Sequence, residues 1–126
     1  MPKDWNPTDA ANVVRQIYRT VLEREADSSG LSYWSGFLDR GEKTVREVVR
    51  LIGKSDEYRN RFVIPVPAKE AARLMYRHFL AREPENDQVL DGWAHVIADQ
   101  GFKAAVDGFV DSREYIRRFG DDRPPG

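Results

Sequence analysis

The stretch Tyr18-Arg19-Thr20-Val21-Leu22-Glu23-Arg24-Glu25 decides the fold, because a second version occurs later as Tyr76-Arg77-His78-Phe79-Leu80-Ala81-Arg82-Glu83. Further landmarks follow in the same order, at an offset of 57 to 60 residues. They are Trp34 and Trp93, Gly41 and Gly101, and the endings 55–62 and 112–119. A period of this length indicates an internal repeat, which has to be recognised before single elements are interpreted. We therefore predict a tandem duplication.

Each copy has the pattern of a set of helices. Apolar residues such as Val14, Ile17 and Val21 recur at helical spacing. Thr44 with Glu47 fits a capping box, in which each side chain satisfies a free backbone N–H at a helix start. Because no convincing alternating strand pattern occurs, we predict an all-α helical bundle of about seven to eight helices made from two diverged tandem repeats.

The domain organisation follows from length and from the prolines. A chain of 126 residues has the size of one domain. Pro65 and Pro67 favour extended backbone at the residues that precede them, so the stretch between the copies should not be helical. We predict a single domain over 1–126, divided into repeat 1 at about 11–62, a linker at 63–67, repeat 2 at about 68–119 and a polar tail at 120–126.

Composition argues against several classes of function. Cysteine is absent, which removes disulfides, thiolate metal sites and thiol nucleophiles. The chain carries 20 basic and 21 acidic residues, and a net charge of −1 does not favour nucleic-acid binding. No apolar stretch approaches the roughly 20 residues that span a bilayer. We expect a cytoplasmic protein that inserts into no membrane.

Catalytic and metal-binding patterns are weak. His78 and His95 fall on different predicted helices without further ligands at metal spacing, so we interpret His78 as a partly buried packing residue and His95 as exposed. Asp27 begins a turn that suits a helix cap better than a calcium loop. No nucleophile elbow or phosphate loop occurs. We predict no enzyme activity, no cofactor and no metal.

Arginines next to aromatic residues are the candidate binding residues. Arg24 and Arg82 end the first helix of each copy, where they could serve the helix dipole or an interface. In the two endings, Tyr and Phe lie four residues apart and should dock inward, which leaves the arginines outside. The predicted partner-binding residues are Arg24, Arg82, Arg59, Arg61, Arg117 and Arg118.

The tryptophans leave two interpretations open. At helical spacing, Trp34 and Trp93 are typical of a core. An exposed ring in a groove would instead favour carbohydrate binding, because sugar faces stack on aromatic rings.

Several of these landmarks resemble a known family. The second copy, from Tyr76 through Gln100-Gly101-Phe102 and Asp111-Ser112-Arg113-Glu114-Tyr115 to Phe119-Gly120-Asp121-Asp122, is similar to the phycobilisome linker domain. In both copies the family's turn glycine is replaced, by Glu23 and Ala81. The first copy also resembles a bacterial domain of unknown function found in surface proteins and beside glycosyltransferases. Together these resemblances cover about residues 11–122.

The resemblance implies an all-helical module that acts by binding. Phycobilisome linker domains order stacked phycobiliprotein discs, carry no pigment themselves and catalyse nothing. It implies phycobiliproteins as partners and a place at the cytoplasmic face of the thylakoid. The alternative is a protein- or carbohydrate-binding module of a bacterial surface or glycan-processing protein, attached to the surface. Monomer and homodimer both stay open.

Overall fold

The computed structural model describes residues 7–126, and its regular secondary structure over that range is all helical, with no strand. Eight α-helices occur in it, which confirms the predicted class and helix number. They are α1 Pro7–Ile17, α2 Ser28–Asp39, α3 Val45–Gly53, α4 Asp56–Tyr58, α5 Ala68–Leu80, α6 Asp87–Gln100, α7 Phe102–Val110 and α8 Arg113–Arg118. Two of them, α1 and α4, continue into wider π-helical turns, Tyr18–Leu22 and Arg59–Val63.

The helices fall into two sets of four with the same order. In repeat 1, α1 packs on α2, and in repeat 2, α5 packs on α6 in the same way. The third helices of the two sets, α3 and α7, pack against each other across the molecule. This correspondence agrees with the sequence pattern, while origin by duplication stays a prediction.

Side-chain caps begin several helices, and those at Asp27 and Thr44 lie where the sequence predicts them. Asp27 accepts a hydrogen bond from the Gly30 N–H, so its turn is a helix cap. Thr44 and Glu47 form both bonds of the capping box. Ser55 and Ser112 cap α4 and α8. These side chains satisfy backbone donors that a helix start leaves free.

A single apolar core joins the two repeats. It includes the fully buried rings of Tyr58, Phe79, Phe109 and Tyr115. At Gly53, where α3 meets this core, a Cβ atom would lie 2.6 Å from the Phe79 ring and 3.0 Å from a Val106 methyl. The close approach of α3 and α7 therefore depends on the missing side chain.

The predicted extended connection at 63–67 is wrong at its first residues. The π-helical turn runs to Val63, and Ile64 has φ −62° and ψ −44°, the right-handed helical conformation. The Ile64 N–H donates to the Arg59 carbonyl at 2.9 Å. This bond offsets the steric preference for extended backbone before Pro65. Pro67 has the extended conformation, with ψ 154°.

The turn after the first helix has left-handed backbone in both repeats. Glu23 has φ +54° and Ala81 has φ +53°. Their N–H groups donate to the carbonyls of Tyr18 and Tyr76, five residues earlier. Non-glycine residues thus adopt the conformation that a turn glycine favours, at a cost of about 1 kcal/mol each.

Candidate functional site

In repeat 1, the Glu57 carboxylate holds two of the predicted arginines. Arg24 binds it with two hydrogen bonds, Nε to Oε2 at 2.7 Å and Nη2 to Oε1 at 2.9 Å. Arg61 binds the same carboxylate at 3.2 Å and also donates to the Leu22 carbonyl. The paired, planar geometry is the one that makes arginine–carboxylate contacts specific. We call these residues, Arg24, Glu57 and Arg61, the repeat-1 clamp.

Repeat 2 contains the equivalent arrangement. Arg82 binds Glu114 with two hydrogen bonds of 2.8 Å, and Arg118 binds the same carboxylate at 2.9 Å. Arg118 also donates to the Leu80 carbonyl. We call Arg82, Glu114 and Arg118 the repeat-2 clamp.

Both clamps also hold the turn that follows the first helix. Arg24 donates to the Glu25 carbonyl at 2.9 Å, and Arg82 donates to the Glu83 carbonyl at 2.9 Å. Each guanidinium lies over a tyrosine ring, at 5.0 Å from Tyr18 and 5.1 Å from the Tyr76 ring. A single arginine thereby joins a helix end, a turn and the last helix of its repeat.

The clamp carboxylates are held in their charged form. The hydrogen bonds from Arg24 lower the pKa of Glu57, and those from Arg82 lower the pKa of Glu114. The same contacts raise the pKa of both arginines. In the adjacent turn, the Ser29 hydroxyl and the Gly30 N–H lower the pKa of Asp27 to about 2. All these groups are therefore ionised at neutral pH.

Arg59 and Arg117 lie outside the clamps. Arg59 is 3.6 Å from Asp56, and its buried Nε has no hydrogen-bond partner. Arg117 is exposed, and no carboxylate of the part of the chain that the structure describes pairs with it. The structure thus brings the six predicted arginines into two pairs and leaves two separate.

An exposed patch on α8 contains the predicted Arg117 together with Arg113 and Ile116, which were not predicted to bind a partner. Ile116 is 48% exposed, and Arg113 and Arg117 lie three and one residues from it. Like Arg117, Arg113 is exposed and has no ion-pair partner among residues 7–126. The spacing i, i+3, i+4 puts all three on one helix face, a signal that was available in the sequence. We call Arg113, Ile116 and Arg117 the α8 patch.

Opposite charges line the contact between α3 and α7. Arg50 on α3 and Lys54, which directly follows α3, bind Asp107 at 2.7 and 2.9 Å, and Arg46 binds Asp111 at 2.7 Å. Burial alone would raise the pKa of Asp107, but the bonds from Lys54 and Arg50 outweigh it and the pKa is lowered. We call these five residues the charged seam.

His78 is more deeply placed than predicted. Its side chain is fully buried, not partly, and it takes part in a chain of hydrogen bonds. Its Nδ1 is 2.8 Å from the Tyr58 hydroxyl, and its Nε2 is 2.6 Å from Glu23 Oε2. Burial lowers the pKa of His78, and the bond to Glu23 opposes this in part. A neutral ring that accepts from Tyr58 and donates to Glu23 satisfies all three groups. His95 is exposed, as predicted.

Both tryptophans are half-buried. One part of each side chain packs against the core, as predicted, and the other part is exposed. Trp93 stacks on Phe109, with ring centroids 4.0 Å apart. Its Nε1 donates to the Tyr76 hydroxyl at 3.2 Å. The rest of the Trp93 ring lines a shallow groove of α6.

No group of three or more histidine or acidic side chains in 7–126 is placed to hold a metal ion. No helix in this range combines the length and the apolar character that crossing a bilayer requires.

Comparison with known proteins gives one consistent family. The family model for the phycobilisome linker polypeptide matches residues 5–126. The chain is 34% identical to a phycoerythrin-associated rod linker polypeptide of 31.8 kDa from Microchaete diplosiphon, over 98% of this chain and 46% of the relative. It is 33% identical to a phycocyanin-associated rod linker polypeptide of 32.1 kDa from Synechocystis, over 97% and 43%.

A third kind of relative is the phycobiliprotein ApcE. The Microchaete diplosiphon protein is 35% identical over 95% of this chain, which corresponds to 12% of that relative. The chain therefore spans less than half the length of these relatives. Because the family model matches nearly the whole chain, and the relatives align over nearly all of it, this protein belongs to the phycobilisome linker polypeptide family.

Proposed function

We propose that this chain is a structural assembly module that binds phycobiliproteins within a phycobilisome and catalyses no reaction. The observation that carries the proposal is the family match over residues 5–126. Relatives that align over nearly the whole chain are named as phycoerythrin-associated and phycocyanin-associated rod linkers. Both names support phycobiliproteins as the partners. A place at the cytoplasmic face of the thylakoid membrane is part of the same proposal.

The partner contact is proposed for two sets of arginines, those that follow the first helix of each repeat and those in its last helical segment. The six candidates are Arg24, Arg82, Arg59, Arg61, Arg117 and Arg118. Four of them also have internal tasks in the clamps, because their guanidinium groups bind carboxylates and carbonyls of this chain. For those four, a partner would meet only the edge of the guanidinium.

Of the six, Arg117 has the best setting for a partner contact, because it belongs to the α8 patch. Its centre is the exposed side chain of Ile116, and its two arginines are unpaired within residues 7–126. An apolar centre with a charged rim is the usual composition of a protein interface, and arginine is enriched there. Positive charge favours an acidic surface on the partner.

The equivalent positions in repeat 1 are much less suited to such a partner. They hold Asp56, Arg59 and Asn60, in which the aspartate lies 3.6 Å from the arginine. The net charge of this trio is zero, and no apolar side chain stands at its centre. The proposal therefore assigns the main partner contact to repeat 2.

A binding titration with purified phycocyanin hexamers tests the proposal. The variant Arg113→Glu with Arg117→Glu should fold normally and bind at least 10-fold more weakly, because two attractions become repulsions. Binding of the unchanged chain should weaken as salt rises. The matched control is Arg15→Glu on α1 with Arg19→Glu in the π-helical turn that follows it. It changes the net charge equally and should bind as before.

Two results would count against this account. Equal loss in both variants would mean that net charge acts, not the α8 patch. Absence of binding of the unchanged chain to phycocyanin, allophycocyanin and phycoerythrin alike would remove the proposed partner class.

A further inference from the structure

Helix α8 is too short to hold its own conformation. It has six residues, Arg113–Arg118, whereas an isolated helix in water needs roughly 12 to 15. At its start the Ser112 hydroxyl accepts a hydrogen bond from the Tyr115 N–H, which caps the helix but does not set its rotation against the core. The orientation of α8 therefore depends on contacts with the rest of the chain.

Three anchors hold one side of α8. The Tyr115 side chain is fully buried in the core. Arg82, in the turn after α5, binds Glu114 with two hydrogen bonds of 2.8 Å. Arg118 donates to the Leu80 carbonyl at the end of α5 and also binds Glu114. At roughly 100° per residue, positions 114, 115 and 118 share one side of the helix. Two of the three anchors thus belong to the repeat-2 clamp.

The α8 patch occupies the opposite side of the same helix. Its residues Arg113, Ile116 and Arg117 are displaced from the anchors by about half a turn. Ile116 is 48% exposed, although the neighbouring Tyr115 is fully buried. Because the two sets of residues alternate along one short helix, any rotation of α8 would move the whole patch. The anchors therefore decide which way the patch faces.

Repeat 1 has the same clamp without a contact face. Arg24 binds Glu57 with hydrogen bonds of 2.7 and 2.9 Å, and Tyr58 is fully buried next to it. The three residues that match the α8 patch include no apolar side chain and carry no net charge. Loss of the repeat-1 clamp would therefore affect stability without turning a patch away from the partner.

We infer that Glu114 is a positioning residue, which fixes the face that α8 presents to the partner through its bonds to Arg82 and Arg118. The two arginines then act on the partner through the orientation of α8, and the groups that touch the partner are those of the α8 patch. This inference rests on the proposed function, and it changes the role of Arg82 and Arg118 from contact to support.

Removal of the Glu114 charge separates positioning from direct contact. Glu114→Gln takes away one negative charge and releases two guanidinium groups, so arginines that touched an acidic partner themselves would bind it more tightly. A positioning role predicts the opposite sign, because a neutral amide replaces the carboxylate that holds α8. The partner must then order α8 on binding, and we expect the affinity to fall about 3- to 10-fold.

Titration of the full chain with purified phycocyanin hexamers measures this sign. The matched control is Glu57→Gln, which makes the same change in the repeat-1 clamp. It should lose a similar amount of stability, as urea unfolding of both variants checks, yet bind no more weakly than the unchanged chain. Tighter or unchanged binding of Glu114→Gln would overturn the inference, and so would equal weakening by both variants.

Hydrogen exchange of the free chain gives a second readout that needs no partner. Glu114→Gln should speed the exchange of the α8 amides, residues 113–118, whereas Glu57→Gln should leave their exchange close to that of the unchanged chain. Equal α8 exchange in the two variants would show that the repeat-2 clamp does not hold this helix, which would also overturn the inference. A failure of the proposed function is distinguishable from this result, because it would show as absence of phycobiliprotein binding by the unchanged chain.

Discussion

The two repeats build the same clamp, but they carry opposite charges along the seam where α3 meets α7. In each clamp, one arginine binds a carboxylate 32 or 33 residues away and holds the same left-handed turn. Across the seam, repeat 1 supplies Arg50 and Lys54, whereas the equivalent positions of repeat 2 are Asp107 and Asp111. The features in common stabilise a repeat internally, and the opposite charges attract repeat 1 and repeat 2 to each other across the seam.

The buried tyrosines show the same contrast. Tyr58 shares its hydroxyl with His78, which in turn binds Glu23. The equivalent Tyr115 is equally buried, yet its hydroxyl has no hydrogen-bond partner among the described residues. The positions that match His78 and Glu23 hold Thr20 and Ala81, and the alanine has no polar side-chain group with which to complete the chain of bonds. Equal burial therefore does not mean equal stabilisation.

The largest effect should come from reversing the seam. Asp107→Lys places a third cation beside Arg50 and Lys54, and we expect the free energy of unfolding to fall by about 3 kcal/mol. A triple variant that combines Asp107→Lys with Arg50→Asp and Lys54→Asp should regain about half of the lost free energy of unfolding. Chemical denaturation of all three proteins measures the coupling. Additive losses, without rescue, would contradict the pairing of opposite charges.

The clamps should lose stability equally. We expect Arg24→Ala and Arg82→Ala each to cost about 2 kcal/mol, because each removes a pair of charge-assisted hydrogen bonds to a half-buried carboxylate. Urea unfolding of the two variants checks this. A difference above about 1 kcal/mol between them would show that the repeats do not use the clamp in the same way.

The tyrosines should respond unequally to the same substitution. Tyr58→Phe should cost about 1–2 kcal/mol, because it leaves the buried His78 Nδ1 without a donor. Tyr115→Phe should be close to neutral, since the removed hydroxyl has no partner within residues 7–126. Thermal unfolding of both variants makes the comparison, and equal losses would refute it.

Low pH should destabilise the folded chain through the buried His78 ring. The folded-state pKa of His78 is lowered, so the unfolded chain binds a proton first as pH falls below about 6.5. The stability of the neutral, buried ring is therefore present above that pH and is lost below it. His78→Gln should flatten the pH dependence between about 7 and 5, measured as the unfolding midpoint in urea. An unchanged slope would show that His78 is not the titrating group.

Relief of backbone strain should give the smallest effect, and in one repeat only. Ala81→Gly should stabilise by about 0.5–1 kcal/mol, because glycine adopts φ +53° without steric cost. Glu23→Gly relieves the same strain but removes the bond to His78, so no gain is expected. A gain in both variants would indicate that the Glu23 contact contributes nothing.

The sequence predicts the helices well because their signals are local. Ser55, Thr44 and Ser112 act within three residues of themselves, and the apolar spacing identifies the buried faces. The extended connection at Ile64 was wrong, because the π-helical bond that holds this residue has no counterpart in a sequence pattern. Local rules also could not place His78 fully inside the core, since its partners are 20 and 55 residues away.

The clamps could be predicted from the sequence only in part. Nothing near Arg24 identifies Glu57 as its partner, and arginine beside a turn is compatible with a free interface residue. The signal lay in the comparison of the copies, because an arginine and a glutamate, Glu57 or Glu114, occur at matching places in both. The α8 patch could have been found by the opposite comparison, because its residues stand at positions where the two copies differ.

The most direct test of the account is hydrogen exchange of this chain bound to phycocyanin hexamers, compared with the free chain. We expect hydrogen exchange in α8, residues 113–118, to slow markedly on binding, while exchange in the equivalent segment of repeat 1, residues 56–63, changes little. Slowing confined to 56–63, or equal slowing of both segments, would contradict the claim that the difference between the repeats decides which of them faces the partner.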